Sequence, residues 1–497
     1  MTSIRRLLLA LCAGAALLGA GPAAGAPPAP SPRPPAAPSK SPPVLDARES
    51  SRASLSLTIY NQDLALVRDV RGLSLPPGTS DLRFLDVASA IDPTSVHIRS
   101  LDGAAPFSVI EQNYRYDLIS PDKLLDRYVG RAMEVFVSEG GDQPGRWEKA
   151  TLLSNNGGPV YRIGDRIAVG EGMRVRLPDL PADLAARPTL VWKLDAGPGG
   201  PRRVEASYLT SQISWSADYI AMLADDGRHA DLTGWVTIDN RSGAAYRNAH
   251  LQLVAGDIHR VYEPVPAMAM AAGVAERKMA EAPQFREEGF FEYHLYTLGR
   301  RATILDRETK QIQLLAARDI PVTKEMLYFG AAESWRTQDG EIRSNQKVGV
   351  YLRVKNAKEK GLGMPLPKGR VRVYQRDKRG TEQFLGEDQI DHTPRNEELK
   401  LKVGDAFDVV GSRRQTEYKR TFSIKGLYAA DVAFEVEIRN HKNEPVTVGI
   451  LEPVPGDWRV VSSSHPWKKQ DAHTLRFDVK VPADKAVKVT YKVHVED

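Results

Sequence analysis

Short runs of alternating apolar and polar residues, closed by turn-forming residues, constrain this chain more than any other feature. Residues 56–87, SLTIYNQDLALVRDVRGLSLPPGTSDLRFLDV, alternate in runs that break at Asn61–Asp63 and at Pro76–Gly78. Side chains of a β-strand point alternately to its two faces, and Asn, Asp, Gly and Pro favour the turns between strands. The pattern recurs along the chain and predicts a mainly β protein of several stacked antiparallel domains, sandwich-like or barrel-like.

One segment carries the signals of a helix instead. In SPDKLLDRYVG, Ser120 is suited to cap the N-terminus, Pro121 fits the first helical position and Gly130 ends the segment. The spacing places Leu124, Leu125, Tyr128 and Val129 on one face, which we expect to pack on a neighbouring sheet. The segment predicts one short helix near residues 121–129.

The chain has 497 residues, enough for roughly three domains of about 150 residues each. We predict an N-terminal β-domain or pair of domains over residues 51–201, which contains the helix and a small barrel-like unit. A central β-sandwich over 202–420 and a C-terminal immunoglobulin-like sandwich over 421–497 are predicted to follow. Residues 263–289 lack any period, so we expect a flexible loop there, with a short helix that folds on a partner as the alternative.

The N-terminal residues 1–26 have the pattern of a secretory signal. Arg5 and Arg6 precede an apolar run, Leu7–Leu18, and small residues up to Ala26 form a processing zone. Because Pro27 follows directly, a cut a few residues earlier is an equal alternative. We therefore expect an exported protein, located in the periplasm or at the cell surface.

Residues 27–50 are rich in proline and predict a disordered linker. The single cysteine, Cys12, follows Leu11 rather than a small residue, which disfavours lipid attachment. If the signal is removed, no cysteine is left to form a disulfide, and the fold must depend on its apolar cores. No later stretch reaches the ~18 apolar residues of a transmembrane helix.

A basic stretch, GMPLPKGRVRVYQRDKRG at Gly363–Gly380, permits two interpretations. Its alternation favours a strand whose arginines form a solvated face above buried valines. The alternative is contact with an anionic lipid or polymer through the residues Lys368, Arg370, Arg372 and Arg376. Nucleic acid is not expected as a partner, since 68 basic residues nearly balance 63 acidic ones, for a net charge of +5.

Motifs for catalysis and cofactors are sparse. The sequence has no HExxH, no GxSxG elbow and no phosphate-binding glycine loop, and its ten histidines show no helical metal spacing, so we expect no cofactor and no metal. Ser464 and His465 are adjacent, and in an extended segment their side chains would point to opposite faces. The segment GEDQIDH, Gly386–His392, could bind calcium, but a solvated hairpin fits it better because the oxygen ligands do not alternate.

Several long segments resemble exported bacterial proteins that carry the domain of unknown function 4139. They are Thr58–Arg71, Ile110–Gly130, Gly363–Asp377, Phe384–Val409 and Pro455–Trp467. The resemblance covers nearly the whole chain after the signal and implies a β-rich exported protein without established catalytic residues. A distant branch, the mucoidy inhibitor A proteins, shares the C-terminal part but carries a coiled-coil insertion that this sequence lacks.

Three functions from different classes fit these observations. The first is a non-catalytic structural or interaction module of the bacterial cell envelope, with an envelope protein or polysaccharide as partner. The second is a hydrolase or carbohydrate-active enzyme that acts on envelope polymers, with carboxylates assembled from separate strands. The third is electrostatic docking of the basic strand to anionic lipid or polymer. We expect the first.

Overall fold

The computed structural model describes residues 42–102, 106–138, 145–170, 174–181, 184–256, 258–259, 284–331, 335–338, 343–422 and 428–496. The chain divides into Met1–Pro42 and Pro43–Asp497, and the fold reported below is that of the second unit. The expected signal and most of the expected loop at 263–289 lie outside the described residues.

The N-terminal strands are β1 (Val44–Ala47), β2 (Arg52–Tyr60), β3 (Leu64–Leu75), β4 (Thr79–Leu85), β5 (His97–Ser100) and β6 (Ser108–Arg115). Next come α1 (Pro121–Tyr128), β7 (Ala132–Val137), β8 (Arg146–Ser154), β9 (Val160–Ile163), β10 (Arg166–Val169), β11 (Val175–Arg176) and β12 (Thr189–Asp195). Short 3-10 turns occupy Glu49–Ser51, Pro93–Ser95 and Lys358–Lys360.

The central strands are β13 (Gly200–Thr210), β14 (Ile213–Leu223), β15 (His229–Asn240), β16 (Tyr246–Ala255), β17 (Phe285–Phe290), β18 (Tyr293–Ile304), β19 (Glu308–Phe329), β20 (Arg343–Lys355), β21 (Gly369–Arg376) and β22 (Glu382–Ile390). The C-terminal strands are β23 (Glu398–Phe422), β24 (Tyr428–Asn440), β25 (Val446–Pro453), β26 (Asp457–Ser463), β27 (Lys468–Asp471), β28 (Thr474–Val481) and β29 (Lys485–Glu496).

The described strands assemble into four sheets. Their orders are β1-β4-β12-β6, β10-β9-β8-β7-β11, β17-β18-β16-β2-β3-β13-β5 and β22-β21-β14-β15-β19-β20-β23-β24-β29-β26, with β25, β27 and β28 attached beside the last. Within the described ranges no sheet closes on itself. The mainly β fold class is confirmed, and the layering of the C-terminal strands is consistent with the predicted sandwich.

Strand alternation positions the core, and β14 is an example. In β14, Ile213, Trp215, Ala217 and Tyr219 are all buried, while the residues between them are more exposed. Because successive side chains of a strand face opposite sides, one apolar face is enough to fix the strand against the core. The aromatic pair on this strand is therefore core, not a binding surface.

Among the strand pairs of the described residues most are antiparallel, but four are parallel: β1 with β4, β2 with β16, β14 with β21 and β19 with β25. A parallel pair cannot be joined by a tight hairpin and needs a long connection. These pairs therefore bring together segments that are distant in the sequence, and local turn signals do not reveal them.

Three cores fill the described structure. The largest joins N-terminal and central strands, with Leu57 and Trp192 in the same cluster as Ile238 and Val371. A second lies among the C-terminal strands together with parts of β19 and β20, and a small third lies between α1 and β7–β11. The domain boundaries at residues 201 and 420 stay predictions, although the largest core draws on both sides of the first and β23 runs across the second.

Two predicted irregular segments end in strands. The proline-rich linker was expected to reach residue 50, but Val44–Ala47 adds to the edge of β4 as β1. Likewise the final residues of the expected loop form β17, whose Phe285 is 5% exposed and belongs to the largest core. In both places the expectation was wrong because a buried apolar residue outweighed the lack of a local pattern.

The predicted helix is confirmed as α1, Pro121–Tyr128. Ser120 is its N-cap, and the helix ends before Val129. Val129 was expected to pack on the sheet but is 44% exposed, because it lies past the last helical residue. Among the described helices, none is long and apolar enough to cross a membrane.

Candidate functional site

The basic strand β21 lies inside a sheet, between β14 and β22. Val371 and Val373 are 2% and 1% exposed, and the arginines alternate with them on the outer face, as predicted. Arg372 Nη1 lies 3.5 Å from Asp218 of β14, and its Nε lies 3.3 Å from Glu387 of β22. Arg372 is therefore held between two carboxylates of neighbouring strands.

The other arginines of this strand also face acids. Arg370 Nη1 lies 3.8 Å from Glu387, and Arg376 Nη2 lies 3.6 Å from Glu382, its direct cross-strand partner. Sequence alternation shows which face of a strand is charged but not which residues stand opposite, so these pairs were not predicted. Contact with an anionic surface stays a prediction, and the charge of these three arginines is already shared with acids.

The segment Gly386–His392 forms most of the hairpin partner of β21, in agreement with the hairpin interpretation. Asp388 Oδ2 accepts a hydrogen bond of 2.6 Å from the backbone N–H of Lys402. The backbone N–H of Lys368 donates to His392 Nδ1 at 3.2 Å. Asp388 is thus bound to the backbone of β23 and Glu387 to arginines of β21, and among the described residues no group of three or more His, Cys, Asp or Glu side chains is placed to hold a metal ion.

The prediction that Ser464 and His465 point apart was wrong. Ser464 Oγ lies 2.9 Å from His465 Nδ1, because both residues follow β26 in a bend where strand alternation no longer applies. Ser464 Oγ also accepts a 2.9 Å hydrogen bond from the backbone N–H of Thr490. No carboxylate in the described part of the chain orients His465, so the third member of a nucleophilic triad is missing there.

The helix α1 and strands β7–β11 form an insert between β6 and β12. Ser120 Oγ accepts a 3.3 Å hydrogen bond from the N–H of Lys123, whose Nζ lies 2.5 Å from Asp117. At the other end of the helix, Tyr128 is 2% exposed and donates a 2.6 Å hydrogen bond to the carbonyl of Asp179. Capping and this buried tyrosine together fix α1 against its small sheet.

A cleft of about 860 Å³ opens between α1 and the sheet of the insert. Its apolar walls are formed by Leu124, Leu125, Tyr161, Val175 and Leu177. Asp122, Asp126 and Asn155 supply polar groups at the cleft. Asn155 Nδ2 donates to Asp126 Oδ1 at 2.8 Å and to the carbonyl of Asp122 at 3.3 Å, which ties α1 to the end of β8. The two leucines were expected to pack on a sheet, and they are half-buried because one side faces the cleft.

The ionisable groups of the cleft limit its chemistry. Burial raises the pKa of Tyr161, so its hydroxyl is neutral at pH 7. Asp122 and Asp126 are exposed to solvent, whereas the general acid of a glycosidase needs an apolar surrounding. The arrangement suits binding, because the cleft offers apolar side chains for contact and two carboxylates next to them.

Comparison with known protein families shows the family to which the chain belongs. The model of the domain of unknown function DUF4139 matches residues 204–496, more than half of the 497 residues. The chain belongs to the DUF4139 family. A search of curated proteins found no match. The DUF4139 region runs from β13 to β29, so it includes the basic strand, while the insert and its cleft precede it.

The DUF4139 region also contains a buried ion pair that sequence reasoning missed. Arg413 Nε donates to both carboxylate oxygens of Glu452, at 3.1 and 3.2 Å, and the two residues are 3% and 0% exposed. The guanidinium carbon lies 3.7 Å from the ring centre of Phe434. Burial raises the pKa of Glu452, and the facing guanidinium opposes this shift. Sealed from solvent, the pair supports the DUF4139 core rather than contacting a ligand.

Proposed function

We propose that this DUF4139 protein is an exported, non-catalytic interaction module of the bacterial cell envelope, and that the cleft beside α1 receives its partner. The observation that carries the proposal is the composition of the cleft: leucines, a valine and a tyrosine form its walls, and its exposed carboxylates lie on α1. A volume of about 860 Å³ is in the range of sites that enclose one or a few side chains.

The chemistry of the cleft selects the partner. Asp122 and Asp126 lie one helical turn apart, so both carboxylates lie on the same side of α1. A protein segment with one large apolar side chain next to Lys or Arg would satisfy both the walls and these charges. We therefore propose a basic, apolar peptide segment of an envelope protein as the ligand.

Selection from a displayed peptide library against the purified chain tests the ligand class. Selected peptides are expected to combine an aromatic or aliphatic residue with adjacent Lys or Arg. Leu124→Lys, on the cleft wall, should weaken their binding about tenfold or more, whereas Leu180→Lys should not. Leu180 is a matched control because it is 59% exposed and lies outside the cleft. Peptides that bind both variants equally would refute the cleft as the site.

Turnover assays separate binding from catalysis. Incubation of the chain with peptidoglycan or capsular polysaccharide should release no soluble product. Release of product that Asp122→Asn or Asp126→Asn abolishes would establish the hydrolase instead, because these are the carboxylates of the cleft.

Export rests on the pattern of Arg5, Arg6 and Leu7–Leu18. Residues 1–26 fused to a phosphatase that is active only after export should give activity in whole cells. Replacing Leu9 with Arg should abolish it, since a charge interrupts the apolar run. Equal activity with and without the charge would refute a signal function.

A further inference from the structure

The strand β6 is an unusually open edge of its sheet. It is the last strand in the order β1-β4-β12-β6, and no described segment pairs with its outer side. Of its eight residues all but Tyr114 are exposed, whereas five of the seven residues of its neighbour β12 are buried. At a rise of about 3.4 Å per residue, the edge offers roughly 27 Å of unpaired backbone groups.

Soluble proteins protect such edges, and β6 has little of that protection. Its sequence SVIEQNYR contains no lysine and no proline, and its one irregularity is a bulge at Ile110. The opposite edge of the same sheet, β1, is only four residues long. Val109 and Ile110 are 43% and 52% exposed, and Tyr116, just past the strand, is 66% exposed. An edge with these properties pairs readily with another strand.

Charge arrangement along β6 favours a second copy of the same strand. In an antiparallel pair related by a two-fold axis, the positions of two partners add to a constant. With the axis at Asn113, Glu111 stands opposite Arg115 of the partner subunit, and the reverse pair forms by symmetry. The same register places Ile110 opposite the partner subunit's Tyr116. No described acid pairs with Arg115, and Glu111 is held only at the surface, 3.2 Å from Lys193.

We infer that two copies of this protein associate through antiparallel pairing of β6 about Asn113, joining their four-stranded sheets into one. The backbone supplies the hydrogen bonds, and the pairs Glu111–Arg115 and Ile110–Tyr116 set the register. A single strand pair buries less area than a standard interface, so the dimer is expected to be of roughly micromolar affinity. The inference does not depend on the function proposed for the cleft.

Disulfide trapping tests the register directly. In the full chain carrying Cys12→Ser, no other cysteine is present. Asn113→Cys places two thiols on the axis, where facing Cα atoms lie about 4.5–5.5 Å apart, a separation that a disulfide spans. Diamide treatment should convert Asn113→Cys to a covalent dimer, whereas Val109→Cys should remain monomeric on a denaturing gel.

Sedimentation velocity tests the charges. Arg115→Glu should weaken dimerisation about tenfold, because like charges then face each other at both ends. The double variant Glu111→Arg, Arg115→Glu should restore it, and Arg166→Glu, on the edge strand β10, should leave it unchanged. A chain that stays monomeric at about 100 µM, equal trapping of Val109→Cys, or an Arg115→Glu variant that dimerises normally would overturn the inference.

Discussion

At the scale of single residues, two of the buried arginines in the described structure, Arg71 and Arg413, share one environment. The guanidinium carbon of Arg71 lies 3.6 Å from the ring centre of Phe84, and that of Arg413 lies 3.7 Å from Phe434. Each also binds a buried carboxylate. Taking a charge out of water is costly, and the carboxylate and the ring face together offset that cost. Removing any one partner should therefore destabilise the fold.

Gly330→Ala should disturb the buried ion pair of Arg413 and Glu452 without removing either charge. A Cβ at this position would lie 2.0 Å from Glu452 Oε2, and the carboxylate cannot retreat without losing Arg413. We expect the free energy of unfolding to fall by about 1–3 kcal/mol in urea denaturation. Gly404→Ala is the control, since nothing lies within 4 Å of its added Cβ. Equal stability of the two variants would contradict this account.

Glu325 should make stability depend on pH. Burial alone would raise the pKa of Glu325, but hydrogen bonds of 2.7 Å from Arg476 and Arg353 bring it below its ordinary value. The unfolded chain then binds this proton more readily than the folded protein. The contribution is therefore present at neutral pH and lost as the pH falls below about 4.

Urea denaturation between pH 7 and pH 3 measures this contribution. Glu325→Gln should flatten the acid part of the stability curve and lower stability at pH 7, while Glu359→Gln, at an exposed position, should change neither. An unchanged acid slope in Glu325→Gln would exclude this residue as a source of the pH dependence.

At the scale of elements, the sequence predicted the features that depend only on residues close together in the chain. Alternation predicted the faces of β21, and capping residues predicted α1, because each depends on neighbours in the sequence. The same signals could not show that β1 joins β4, or that acids stand opposite Arg372, since strand register depends on distant residues. The cleft was missed for the same reason: its walls meet only after the insert has folded.

The N-cap of α1 should be required for an ordered cleft wall. Ser120→Ala removes the acceptor of the Lys123 N–H and should cost about 1 kcal/mol, whereas Ser120→Asp should retain the cap. Hydrogen exchange of the α1 amides measures this locally: we expect faster exchange in Ser120→Ala only. Faster exchange spread evenly over the whole chain would point to global destabilisation instead.

At the scale of the whole molecule, the DUF4139 region pairs with strands that precede it in the sequence. Its strand β13 pairs with β3 and β5, and β16 pairs with β2, so three strands outside the matched residues 204–496 complete its sheet. Buried residues such as Leu251 and Tyr208 lie in this shared core. The residues that the family model matches therefore share one hydrophobic core with the strands that precede them.

A fragment of residues 204–496 should consequently fold poorly. Without β2, β3 and β5, the strands β13 and β16 lose their partners and expose apolar side chains, so we expect aggregation and no cooperative thermal transition by circular dichroism. A fragment of residues 43–497 should retain the transition of the full chain. A soluble, cooperatively unfolding 204–496 fragment would show that the DUF4139 region is self-sufficient.

The parallel pairing of β2 with β16 determines when during synthesis their sheet can be completed. Thr58 Oγ1 donates to Gln252 Oε1 across 194 positions of sequence. At about 5–20 residues per second, the ribosome needs roughly 10–40 s to make that stretch. Until β13 and β16 are synthesised, the two edges of the β2–β3 hairpin therefore have no strand to pair with.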